Sequence, residues 1–194
     1  AEYLKLWSVN EIDCGNNIRG ASEARHKRRM HCERVAGASM KIVLGSDHRG
    51  NQVAQTLMTQ LRSDGHEVNL LGDCGGQMCD YPDAAWHVAS AVANGSAGRG
   101  ILICGTGIGM CIAANKIKGI RAALAQDELS AQLSRTHNDA NVLCLSADLL
   151  GQTLMKRIVD IWFRTAFDGG RHERRLAKIA MIENGHDPAA PKSA

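Results

Sequence analysis

From Met40 onward the chain alternates short apolar runs with longer segments of helical period. Lys41-Ile42-Val43-Leu44-Gly45-Ser46 is a β-rich run, and a helix-like segment follows at about 50–63. His66-Glu67-Val68-Asn69-Leu70-Leu71 predicts a second strand. Pro82 stands where it can open a helix that Ala84 to Ala93 continues. Gly100-Ile101-Leu102-Ile103-Cys104 is a compact apolar run suited to a strand buried on both faces. A glycine-rich turn and an Ala-rich helix to about Lys116 come next. Ile120 to Ala125 and Asn141 to Leu145 predict two more strands, with helices at about 127–136 and 152–166. Repeated βα units of this length predict an α/β fold, a parallel sheet of about five strands covered by helices on both faces. Right-handed crossovers make it a three-layer Rossmann-like sandwich. A basic helix at about 171–183, after Gly169-Gly170, has no strand left to feed, and a terminal helix of that kind often docks on a partner subunit.

Residues 1–39 show no sustained period, and they end at Gly37-Ala38-Ser39. Met40 is therefore expected to start the folded unit, with residues 1–39 as a poorly ordered extension. Of the 194 residues 44% are hydrophobic but only 4% aromatic, so the core must be built mainly from Ala, Val, Ile and Leu. That composition fits helices on a sheet better than a β-sandwich, and it excludes global disorder. No stretch approaches the roughly 18 apolar residues needed to cross a membrane.

Charge narrows the partners. The net charge is +3, and residues 1–39 hold seven Lys/Arg against five Asp/Glu, leaving 16 against 15 for the rest. The near-neutral body offers no polybasic face for nucleic acid. Arg25-His26-Lys27-Arg28-Arg29 is one short run without interleaved aromatics, and it reads as a solvated tail. The seven cysteines, at 14, 32, 74, 79, 104, 111 and 144, form no Cys-x-x-Cys and no zinc-finger spacing. With no apolar leader segment in the first 39 residues, they point to a reducing, cytoplasmic compartment.

A doubly wound sheet places ligands at the carboxyl ends of its strands. Cys104-Gly105-Thr106-Gly107-Ile108-Gly109 lies at one, a strand end followed by a glycine turn and a helix start. Glycines let the backbone approach a ligand, and free N–H groups there favour an anion. The spacing is neither the dinucleotide fingerprint nor a P-loop. A cysteine at the mouth of such a loop is a usable base or nucleophile, set against the plainer reading of a small core residue. Cys111 and Cys144 read as core. Asp47-His48 ends the first strand: Asp47 either caps the next helix or assists chemistry, and a loop His48 can donate to an anion or shuttle protons. Thr136-His137-Asn138-Asp139 leads from a helix into the last strand, a place where turn chemistry and a dipole partner are the plain explanations. Arg171 and Arg175 share a helix face suited to gripping a phosphate or to ordinary surface ion pairs. His66, His87 and His172 read as structural or solvent-facing.

Together these segments resemble the ribose-5-phosphate isomerase B family, with its relatives the galactose-6-phosphate isomerase subunits. The resemblance spans residues 40–184. It rests on Gly45-Ser46-Asp47-His48-Arg49-Gly50, Asp80-Tyr81-Pro82-Asp83, the run Arg99 to Gly109, Ala113-Ala114-Asn115-Lys116, the run Ser134 to Leu143, and Gly169-Gly170-Arg171-His172. It implies that residues 40–194 are a sugar-phosphate isomerase domain, interconverting an aldose phosphate and its ketose through an enediolate with no metal or organic cofactor. Cys104 then matches the base, and His137 the ring-opening acid with Asp47 as helper. Thr106 and the amides of Gly105, Gly107, Ile108 and Gly109 match the group that steadies the enediolate oxygen. Tyr81 and Asn138 match sugar contacts, and His48, Arg171 and Arg175 match phosphate ligands. The resemblance also implies a small sugar phosphate as ligand and a homodimer, or a tetramer, with sites at the subunit interface. One residue departs: the family usually carries Arg where this chain has Asp148, whose carboxylate repels a phosphate unless it faces away or pairs with a neighbour such as Arg171. That leaves ribose 5-phosphate as the leading substrate, beside a four- or six-carbon sugar phosphate, and a non-catalytic sugar-phosphate binder as the other class.

Overall fold

A computed structural model describes residues 39–189 apart from 73, 74 and 76. The expected N-terminal extension and its basic cluster lie outside the described residues. Five strands form one sheet: β1 (Lys41–Ser46), β2 (Glu67–Leu70), β3 (Arg99–Cys104), β4 (Ala122–Leu124) and β5 (Val142–Ser146), in the order β2-β1-β3-β5-β4. Every pairing is parallel. Between and after them run six helices: α1 (Asn51–Ser63), α2 (Tyr81–Ala93), α3 (Ile108–Ala114), α4 (Glu128–Thr136), α5 (Gln152–Arg164) and α6 (Arg171–Glu183). The α/β sandwich read from the sequence is the one observed. Among the described residues no helix is long and apolar enough to cross a membrane.

Strand alternation sorts the core into two layers. Ile42, Leu44, Ile101, Ile103, Leu143 and Leu145 point to one face, against α1, α4 and α5 with Trp162 at the centre. Val43, Leu102, Cys104, Val142 and Cys144 point to the other, against the alanines of α2 and Met110 and Ala114 of α3. Small residues on α2 and α3 let those helices sit close to the sheet.

Two elements among those shorter than expected show why. α3 stops at Ala114, and the Asn115 side chain then bridges to β4, accepting from Ala122 N and donating to Ala122 O, both at 2.9 Å. Ile120 closes the preceding turn through Ile117 O, so β4 begins only at Ala122. The cysteines correct the sequence reading at one point, because Cys79 is disulfide-bonded. A crosslink needs only that two thiols meet in space, which count and spacing do not exclude. Cys104, Cys111 and Cys144 are free thiols.

Candidate active site

The strand order reverses between β1 and β3, the switch point at whose carboxyl ends such sheets place ligands. Cys104 closes β3 there. It is 4% exposed, and its sulfur accepts the Gly107 N–H at 3.1 Å, the polarity a thiolate needs. Gly107 can make this bond because it turns back in the left-handed region at φ 75°, where side chains are strained. A Cβ on Gly107 would meet Leu124 Cδ1 at 2.6 Å and the Leu145 carbonyl at 3.0 Å. Gly107→Ala is therefore expected to lower stability by about 2–4 kcal/mol, combining left-handed strain with a clash against backbone. Chemical denaturation would check it, and a shift under 1 kcal/mol would refute the tight turn.

The turn is stitched to its neighbour. Ser146 Oγ donates to Gly105 O at 2.6 Å, and Ala147 N and Asp148 N bond to Cys104 O and Gly105 O at 2.9 and 3.1 Å. Thr106 is exposed at the tip, where its Oγ1 accepts from Ile108 N. Two of the amides expected to face a ligand, those of Gly107 and Ile108, are thus engaged within the loop. α3 is only seven residues long, so its dipole is a small contributor to any anion site. Tyr81, the first residue of α2, leans over α3: a Cβ on Gly109 would lie 2.6 Å from its ring. Asp47 is 7% exposed, with Oδ1 accepting from Arg49 N and Gly50 N at 2.9 and 3.0 Å. It shapes the turn, and the N-cap of α1 is Gly50, so helix capping is not its role. His48 beside it is exposed.

The remaining predicted residues lie elsewhere. His137 caps the end of α4 and Asn138 follows it, before β5 rather than after a strand. They stand at the opposite edge of the sheet, with roughly 15 Å of β5 between them and the Cys104 turn. Arg135, buried under Trp162, holds this loop: its Nη1 bonds Asp139 Oδ1 at 2.7 Å and Ala140 O at 2.6 Å, while Arg121 takes the other oxygen at 2.9 Å. Arg171 and Arg175 are exposed on the first turns of α6 at the same edge.

His172, read from the sequence as structural or solvent-facing, is a buried residue. It is 4% exposed and stacks on His137, ring centroids 4.2 Å apart and planes 7° from parallel. Its Nε2 accepts from Arg171 Nε at 3.3 Å, so the proton of the neutral ring is on Nδ1. Burial first, then the neighbouring His137, Arg171 and Arg175, push its pKa down. With Asp168 the two histidines bring three potential ligand atoms within 4.8 Å, the grouping among the described residues that could gather around a metal ion. Near-parallel rings would approach an ion side by side rather than from tetrahedral corners, which suits proton handling better than chelation. Nothing local in the sequence marks His172, since its partner arrives through the packing of α6 on α4.

Two more groups were placed differently by sequence. Cys111, read as core, is half-buried, and a hydrogen bond from Cys144 leads the interactions that hold its pKa down at about 7, while Cys144 is pushed well up. Asp148 does not meet Arg171. It pairs with Arg49, Oδ2 lying 2.9 Å from both Nε and Nη2, because the loops after β1 and β5 flank the Cys104 turn.

Comparison with known proteins places the chain in a family. Residues 42–179 match the family model described as Ribose/Galactose Isomerase. The chain is 46% identical over 143 residues to ribose-5-phosphate isomerase B of Escherichia coli, covering 74% of this chain and 96% of that protein. It is 40% identical over 146 residues to D-erythrulose-4-phosphate isomerase of Pectobacterium atrosepticum, covering 75% and 96%. Among solved structures, ribose-5-phosphate isomerase B of Clostridium thermocellum superposes with a TM-score of 0.74 at 46% identity, covering 75% of this chain and 99% of the other. The enzyme of Mycoplasma genitalium, solved with bound ribulose-5-phosphate, gives 0.72 at 41% identity, covering 76% and 99%.

Proposed function

The chain belongs to the ribose/galactose isomerase family, and we propose that it interconverts ribose 5-phosphate and ribulose 5-phosphate in a site completed by two copies of residues 40–194. The observation that carries the second half is topological. Cys104, Thr106, Asp47 and His48 stand at the carboxyl edge of the sheet, and His137, Asn138, Arg171 and Arg175 at the amino edge. No single chain brings the thiol and the imidazole pair to one substrate. A twofold pairing that lays the amino edge of one chain over the carboxyl edge of the other makes two equivalent sites. Apolar side chains left outside support such a pairing: Ile108 and Ile112 on α3 are 49% and 57% exposed, and Ile179, Met181 and Ile182 on α6 are also exposed. Glu183 and Asn184, at the end of α6, bond to Gly119 and Lys118 in the turn after α3, which ties the end of α6 to that turn.

In that site His137 of one chain protonates the ring oxygen and opens the sugar. Cys104 of the other, as thiolate, takes the C2 proton of the open aldose. The electron pair moves into the C1–C2 bond and the carbonyl oxygen becomes an enediolate, steadied by Thr106 and the turn amides. Returning the proton to C1, while the O2 hydroxyl passes its proton to O1 and O2 becomes the carbonyl, gives the ketose. Asp47 assists the ring opening, Tyr81 and Asn138 contact the sugar, and His48, Arg171 and Arg175 take the phosphate. A coupled assay of ketose formation from four-, five- and six-carbon aldose phosphates tests the substrate. The expected result is highest kcat/KM for ribose 5-phosphate by about tenfold or more. Preference for the four-carbon sugar, which the D-erythrulose-4-phosphate isomerase relative and Asp148 favour, would replace the pentose. No turnover of any would refute the isomerase.

A further inference from the structure

The free thiols Cys104, Cys111 and Cys144 share the face of the sheet that α3 covers. Cys144, in the middle of β5, is fully buried, while Cys111 packs on it from α3 and stays half-exposed. The Cys111 sulfur accepts from the Cys144 thiol and from Asn115 Nδ2 at 3.6 Å, and donates to Ala122 O at 3.4 Å. The strand register decides which thiols can join. Cys144 stands opposite Leu102 and Cys104 opposite Ser146, so Cys104 and Cys144 are diagonal neighbours. One strand spacing and two residues of rise put their Cα atoms roughly 8 Å apart. A disulfide spans at most about 7 Å between Cα atoms, which leaves Cys104 out. Cys111 is also the reactive member of the remaining pair. The bond from Cys144 leads those that hold its pKa down at about 7 against the effect of burial, so a large share is thiolate at neutral pH.

We propose that Cys111 is a modification site for hydrogen peroxide and that Cys144 resolves it, the two closing a reversible disulfide between α3 and β5. The Cys111 thiolate attacks one peroxide oxygen: an S–O bond forms, the O–O bond breaks and hydroxide leaves. Sulfur is oxidised by two electrons and the peroxide is reduced. The Cys144 sulfur then attacks the sulfur of this sulfenic acid. The S–S bond forms, the S–O bond breaks, and the departing hydroxide takes the Cys144 proton and leaves as water. A dithiol reverses the bridge by exchange. Bonded sulfurs lie about 2 Å apart, closer than hydrogen-bonded ones, so closing the bridge draws α3 toward β5. α3 starts directly after Gly107, whose N–H holds the Cys104 sulfur at 3.1 Å, so the movement reaches the candidate active site. That last consequence rests on the isomerase reading above, whereas the bridge itself does not.

The experiment exposes the full chain to a few equivalents of hydrogen peroxide, blocks remaining thiols with N-ethylmaleimide under denaturing conditions, and maps tryptic peptides by mass spectrometry. The expected product joins residues 100–116 to 136–156, with fragmentation placing the link at Cys111 and Cys144 and the maleimide on Cys104. Dithiothreitol should remove the link. In Cys111→Ser it should not form. In Cys144→Ala oxidation should stop at a Cys111 sulfenic acid that dimedone labels. An unmodified Cys111, a link through Cys104, or a wild type whose Cys111 goes on to sulfinic acid without a bridge overturns the proposal. Kinetics on ribose 5-phosphate then read the consequence. The bridged protein should lose about tenfold or more in kcat/KM and regain it with dithiothreitol, while Cys111→Ser stays within twofold under the same exposure. Equal loss in Cys111→Ser overturns the link to the site. A wild type inert on every sugar phosphate overturns the isomerase reading instead, and the peptide map still judges the pair.

Discussion

Cys104→Ala is expected to lower kcat/KM for the sugar phosphate by about a thousandfold or more, roughly 4 kcal/mol of transition-state stabilisation. The size follows from the role proposed for it, in which removing the group that takes the C2 proton leaves water to do so. Binding should change far less, because the phosphate and hydroxyl contacts belong to other residues. Isothermal titration with substrate would therefore give a Kd within a few-fold of wild type, as expected for an interaction made chiefly in the transition state. Cys104 is also a core residue against Met110 and Cys144, so a modest drop in Tm is expected and must be measured beside the kinetics. Activity within tenfold of wild type would remove Cys104 as the base. Alkylation is a poorer test. Cys111, with its pKa near 7 and partial exposure, also offers a thiolate at neutral pH, and inactivation by iodoacetamide does not distinguish the two.

The second large effect is a recovery. His137→Ala alone should cost about a hundredfold or more in kcat, through loss of the ring-opening acid. Mixed with Cys104→Ala and allowed to exchange subunits, the two nearly dead proteins should regain about a quarter of wild-type activity. Half of the randomly formed dimers are hybrids, and each hybrid has one site with an intact thiol from one chain and an intact imidazole from the other. If both residues served a site within one chain, no hybrid would hold a complete set, and mixing would restore nothing. The same mixture thus separates the shared site from a self-contained one.

The sheet was legible from the chain because its strands carry their own signal. Gly100–Cys104 is apolar at every position after the glycine, and only a strand covered on both faces accommodates that. The Cys104 turn was equally legible, since a cysteine, three glycines and a following helix are local features. The other half was not. His172 gains its meaning from a ring that packs on it across α4 and α6, and Arg49 from a carboxylate 99 positions away. Asp47 shows the intermediate case: its turn-forming bonds are local, yet only the coordinates separate a turn former from a helix cap. His137 was read on a loop leading from a helix into a strand, which in a parallel sheet lies at the amino edge, away from the Cys104 turn; what the sequence does not show is which other residues meet it there.

The strands at the two borders of the sheet are its shortest, four residues in β2 and three in β4. So brief a rim presents few unpaired backbone groups, and a second chain gains little by extending the ladder. Open-ended strand addition, the route to fibrils, is thereby disfavoured.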